Sequence, residues 1–89
     1  MAKKRERLEV IKDILEVIRN GRGIKPTRLL YSSNLSPQMF KEYINELLAK
    51  GFIKMEENEG KKTFLLTKKG QEFLQEYKMI ENFVKNFGL

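Results

Sequence analysis

From Leu8 to Arg19 the chain divides cleanly. Leu8, Val10, Ile11, Ile14, Leu15, Val17 and Ile18 take one half of a helical wheel; Glu9, Lys12, Asp13, Glu16 and Arg19 take the other. This pattern predicts a helix over Glu6–Asn20 with a broad apolar face that must be covered by other elements. Gly21 ends it. A loop carrying Arg22 and Lys25 follows, with Ile24 as a candidate short strand. Pro26 then opens a short helix, with Thr27 and Arg28 in its first turn and Leu29, Leu30 and Tyr31 as its apolar part. Ser32, Ser33 and Asn34 close it, and Leu35 is expected to be buried between helices.

Ser36–Lys50 is the stretch the rest of the chain serves. Ser36 is a natural N-cap, and Pro37 suits the first helical position, where a missing N–H costs nothing. At about 100° per residue, Met39, Phe40, Tyr43, Ile44, Leu47 and Leu48 share one side. Gln38, Lys41, Glu42, Asn45, Glu46 and Ala49 share the other. Gly51 is the expected left-handed stop. Two helices joined by a tight turn, the second one capped, make a helix-turn-helix.

After Gly51 the period changes to two. Phe52–Met55 and Thr63–Leu66 read as paired strands, with the polar run from Glu56 to Lys62 as their loop. A hairpin directly behind a helix-turn-helix is the wing of a winged helix. Thr67 caps a last helix from Lys68 to about Phe87. Its Gly70, Phe73, Tyr77, Ile80, Val84 and Phe87 recur at alternating intervals of three and four, broadened by Leu74 and Phe83. Such a helix either folds back onto the first one or pairs with a second copy. Pairing is favoured, because a free Ile80, Phe83, Val84 and Phe87 would form a large apolar patch. The expected organisation is a winged helix-turn-helix over residues 1–67 and a dimerising helix over 68–89. The fold class is α+β, mainly α.

Charge narrows the partners. The 89 residues carry a net +6, which favours an acidic partner such as nucleic acid. The excess lies at the front: residues 1–35 hold nine Lys/Arg against four acids, while residues 36–66 balance five against five. The lead-in Lys3, Lys4, Arg5 and Arg7 is either a solvated tail or a phosphate-binding arm. The sequence has no His and no Cys, and Asp13 is its only aspartate. Zinc sites and the usual nucleophile–base pairs therefore lack their residues, and neither an enzyme nor a cofactor is expected. No apolar run reaches the length of a membrane span, and no signal-peptide core follows the basic start. A cytoplasmic, nucleoid-associated protein is the expectation.

The candidate phosphate contacts are Arg22, Lys25, Arg28, Lys61 and Lys62. The candidate groove contacts are Ser36, Gln38, Lys41 and Asn45; Gln and Asn suit adenine, and Lys suits guanine or phosphate. The candidate dimer contacts are Phe73, Tyr77, Ile80, Phe83, Val84 and Phe87. A rival reading is a winged-helix module that contacts protein within a transcription complex. Glu42 and Glu46 on the exposed side of Ser36–Lys50 support it, and the overall positive charge opposes it.

The runs MAKKRERLEVIKDILEVI, KPTRLLYSSNLS, KGFI and LTKKGQEFL, in that order, resemble the small archaeal winged-helix chromatin proteins, the ten-kilodalton DNA-binding proteins of Sulfolobus and relatives. PTRLLYSSNLS is the most specific part; LTKKG is shared by many winged helices. The resemblance covers nearly the whole chain. It implies a homodimer joined by an antiparallel coiled coil of the last helix, binding double-stranded DNA through two winged-helix heads. It leaves open a chromatin or a transcription-regulating role.

Overall fold

The structure is a computed structural model describing residues 3–88, with side chains described from Arg7 onward. The elements are α1 (Lys3–Gly21), α2 (Pro26–Ser33), α3 (Pro37–Ala49), β1 (Ile53–Asn58), β2 (Lys61–Leu66) and α4 (Lys68–Asn86). The side chains of Lys3, Lys4 and Arg5 lie outside the described residues.

The core forms around one stripe of α1. Ile11, Ile14, Leu15 and Ile18 are buried at the i, i+3, i+4, i+7 spacing. Leu29 of α2, Ile44 and Leu47 of α3, Ile53 and Phe64 of the hairpin, and Leu74 of α4 close over it. The apolar face of α1 is narrower than its sequence pattern suggests. Val10 and Val17 are only half-buried, and Leu8 is exposed, lining an open cleft beside Tyr77, Ile80 and Val84 of α4. Leu35 is likewise half-buried rather than enclosed. Tyr31, expected among the apolar residues of its helix, is 79% exposed.

The hairpin differs most from expectation. The strands run from Ile53 to Asn58 and from Lys61 to Leu66, so the expected long loop is a turn at Glu59 and Gly60. Both residues have positive φ, 51° and 79°, the condition for a two-residue turn that matches strand twist. Only Ile53 of β1 is buried. Beyond it the hairpin projects into solvent, so its outer residues are polar on both faces and lack the alternation that marks a strand in sequence. Ile24 completes the sheet edge. Its N–H donates to the Phe64 carbonyl at 3.2 Å, and the Phe64 N–H donates back at 2.8 Å.

Thr67 fastens α4 to the end of α3. Its Oγ1 accepts from the Gly70 N–H at 3.1 Å and shares its proton between the carbonyls of Gly51 (2.6 Å) and Phe52 (2.9 Å). The Lys69 ammonium donates to the Lys50 carbonyl at 2.8 Å, capping α3, and lies 4.9 Å from the Phe52 ring centroid.

Along α4 the sequence seam has two parts. Gly70 is buried against Phe52 and Leu66 of its own chain, and Leu74 belongs to the core. Phe73 meets Phe52 edge-on at 5.6 Å and stacks with Tyr77 at 6.0 Å; Lys12 lies over Tyr77. Beyond Tyr77, Ile80, Phe83 and Phe87 are exposed and Val84 is half-buried.

Candidate nucleic-acid interface

The turn between α2 and α3 is held by short-range polar bonds. Asn34 adopts the left-handed conformation that ends α2, with φ 59°. The Ser33 hydroxyl donates to the Leu30 carbonyl at 2.7 Å and accepts from the Leu35 N–H at 3.3 Å. Ser36 Oγ accepts from the Met39 N–H at 3.2 Å, the expected cap, and its own proton remains for an outside acceptor. α3 buries Ile44 and Leu47 and turns its opposite side outward.

That outward side carries a single stripe. Gln38, Lys41, Glu42 and Asn45 are all exposed, at the i, i+3, i+4, i+7 spacing. Glu46, expected on the same side, is not part of it. Its carboxylate pairs with Lys50 at 2.9 Å and with Arg7 of α1, and its side chain is half-buried. The Lys50 and Arg7 hydrogen bonds hold its pKa below the usual carboxylate range. The Glu46 hydrogen bond raises the pKa of Arg7, whose guanidinium lies 5.7 Å from the centroid of the Tyr43 ring. One acid therefore faces outward alone where two were expected: Glu42 has no ion-pair partner among the described residues.

The candidate basic residues lie on other elements. Arg28 is exposed in the first turn of α2. Arg22 and Lys25 are exposed in the loop that Ile24 pins to β2. Lys61 and Lys62 are exposed beside the hairpin turn, but cross-strand pairing sets Lys62 opposite Glu57 and Lys61 opposite Asn58. Adjacent strand residues point to opposite faces, so these two lysines diverge.

A model of the winged helix-turn-helix family matches residues 4–85. The chain belongs to this family. Within it, α3 is the second helix of the helix-turn-helix and β1–β2 is the wing. An uncharacterized protein of Methanocaldococcus jannaschii is 42% identical over 69 residues, covering 78% of this chain and 66% of that protein. Another from the same organism is 32% identical over 72 residues, covering 81% of this chain and 32% of that protein. The chain thus spans just under two thirds of the first relative and about a third of the second. Among solved structures, Sso10a-2, a DNA-binding protein from Sulfolobus solfataricus, superposes with a TM-score of 0.71 over 90% of this chain and 82% of its own, at 19% identity. That likeness is one of fold.

Arg7 reads in sequence as part of a basic lead-in, whereas the structure sets it against α3. Its partner Glu46 is 39 residues away, and no local spacing signals such a pair. Tyr31 and Met39 are likewise exposed at the helix-turn-helix surface, against the sequence pattern. On a helical wheel both fall with apolar neighbours, and only the reach of the core decides which of these are covered.

Proposed function

We infer that the protein binds double-stranded DNA as a homodimer, with α3 in the major groove and the wing on the backbone. The observation that carries this is the exposed stripe Gln38, Lys41, Glu42 and Asn45 on the capped second helix of a helix-turn-helix. Family membership, the DNA-binding character of the structural neighbour Sso10a-2 and the net +6 charge support it. Arg22, Lys25, Arg28, Lys61 and Lys62 supply the phosphate contacts; Ser36, Gln38, Lys41 and Asn45 supply the groove contacts. Residues 1–67 form the DNA-binding unit. Residues 68–89 add the dimerising helix; of the seam Phe73, Tyr77, Ile80, Phe83, Val84 and Phe87, the last four make the contact between copies, because Phe73 and Tyr77 pack against their own chain. Chemistry at an active site has no part in this function. The cellular place is the nucleoid, and the role is that of a chromatin protein or a transcriptional regulator. A genome-wide occupancy map separates the two roles: broad coverage marks chromatin, a few sharp sites mark a regulator.

A protein-contacting winged helix is the second reading, and the exposed Tyr31 and Met39 beside the helix-turn-helix favour it. A gel shift on duplex DNA over a salt series decides between them. With about four to eight phosphates engaged per dimer, log K falls against log[salt] with a slope of about −4 to −7. A flat response, or no shift at low salt, removes the DNA reading and leaves the protein-contacting one.

Individual contacts differ in kind. Arg28→Ala is expected to weaken binding to all duplexes alike and reduce the salt slope by about 1. Gln38→Ala or Asn45→Ala is expected to cost about 1–3 kcal/mol on the preferred sequence and relax the preference there. Unchanged affinity in folded Arg28→Ala would show that the α2 N-terminus does not meet the backbone.

A further inference from the structure

An acid on a DNA-facing helix needs a reason. Phosphates surround both grooves, and a carboxylate near them is repelled. The two acids of the outward side of α3 have different fates. Glu46 is neutralised by Lys50 and Arg7, so its charge is contained within the protein. Glu42 lies in the exposed stripe between Gln38 and Asn45 without an ion-pair partner among the described residues. A helix that held DNA by general attraction alone would be weakened by it. The cost is recovered only if the carboxylate meets a hydrogen-bond donor inside the groove.

The major groove has two such donors, the exocyclic amines of adenine and cytosine. Adenine places its N7 acceptor beside its amine, and that lone pair repels a carboxylate. Cytosine shows only the amine. A group that can accept but not donate therefore fits cytosine best. Lys41, next to Glu42 in sequence and in the same stripe, offers donors suited to guanine O6 and N7.

We propose that Glu42 adds a base preference of its own to this interface, accepting a hydrogen bond from the amine of a cytosine in the major groove. This rests on the reading of α3 as the groove-entering helix. Removing the charge then has two opposite effects. Binding to arbitrary duplex tightens, because repulsion is relieved. Preference at one base pair is lost, because an amide discriminates differently from a carboxylate.

The test is selection from a randomised duplex pool by the full chain, its Glu42→Gln and Glu42→Ala variants and Glu46→Gln. Affinities on an unselected duplex at low salt accompany it. The wild-type chain is expected to enrich cytosine at one position of each half-site, with about a tenfold loss when that base pair is changed. Both Glu42 variants are expected to lose that enrichment and to bind the unselected duplex several-fold more tightly. Glu46→Gln alters the Arg7 contact and is expected to keep the cytosine preference. Identical preferences in wild type and Glu42→Gln, or no cytosine enrichment by a wild-type chain that binds DNA, would overturn the assignment to Glu42 while leaving DNA binding in place. A wild-type chain that recovers no duplex from the pool overturns both.

Discussion

Ile80→Asp combined with Val84→Asp yields a folded monomer whose hold on duplex DNA falls roughly a hundredfold. The expectation begins from the distal half of α4. Met79, Ile80, Phe83 and Phe87 are 62–66% exposed there, an apolar strip that the described residues leave largely uncovered. A cleft of about 560 Å³ between this part of α4 and the start of α1 is lined by Leu8, Tyr77, Ile80 and Val84, among others. Burying an Ile, Val or Phe side chain contributes about 1.5–3 kcal/mol. Several such side chains from each of two copies offset an association cost of at least about 4 kcal/mol. Two paired aspartates in the seam would remove that gain and add charge repulsion across it. Folding should survive, because Ile80 is exposed, Val84 is half-buried, and the α4 residues in the core are Gly70 and Leu74. DNA binding weakens because two linked heads raise the effective concentration of the second at its site. Sedimentation of both chains is the measurement, with a thermal melt to confirm folding. A wild-type chain that sediments as a monomer at tens of micromolar would mean that this strip does not join two copies.

Gly70→Ala has its large effect on stability. Alanine is the better helix former by about 1 kcal/mol, so helix propensity alone predicts a gain. The surroundings reverse the sign. A Cβ at residue 70 would stand 2.3 Å from the Phe52 carbonyl oxygen and 2.6 Å from Leu66 Cδ1. The first is backbone, and the same oxygen accepts from the Thr67 N–H and hydroxyl, so it cannot move alone. Either α4 shifts off the hairpin or the Thr67 clasp opens. The expected net loss is about 2–3 kcal/mol, by comparison with other overpacked cores. For a domain of this size that lowers Tm by roughly 10–20 °C. Gly51→Ala is the comparison. It has open space around it but a φ of 80°, so its cost is backbone strain alone, about 1 kcal/mol. A Gly70→Ala chain that melts at or above the wild-type temperature would show that α4 does not approach the hairpin this closely.

The glycine illustrates how local and distant information divide in this chain. In sequence, Gly70 fits a heptad position and reads as one more member of the seam on α4. In the structure, it is the point where that helix meets its own hairpin, and the seam splits beyond Tyr77. Phe73 and Tyr77 lie against Phe52 and Lys12 of their own chain, while Ile80, Phe83 and Phe87 face outward. Periodicity gives the face of a helix. How far along that face the core extends depends on where the neighbouring elements end.

What the sequence determined by itself is whatever a few neighbouring residues settle. The Ser36 and Thr67 caps each join a hydroxyl to an N–H three residues on, so spacing alone was enough to place them. The buried stripe of α1, the proline starts of α2 and α3 and the left-handed Gly51 are equally local. Together they made the winged helix-turn-helix legible before any contact was known. The tertiary structure decided what depends on residues far apart. The hairpin turns at Glu59 and Gly60 because register with β2 extends pairing into a polar segment that carries no hydrophobic alternation. Glu46 leaves the outward stripe of α3 because Arg7, on another helix, reaches its carboxylate. Glu42 stays in the stripe because no described residue does the same for it. Side chains that look alike on a helical wheel differ in what the folded chain brings near them, and that proximity is a property of packing.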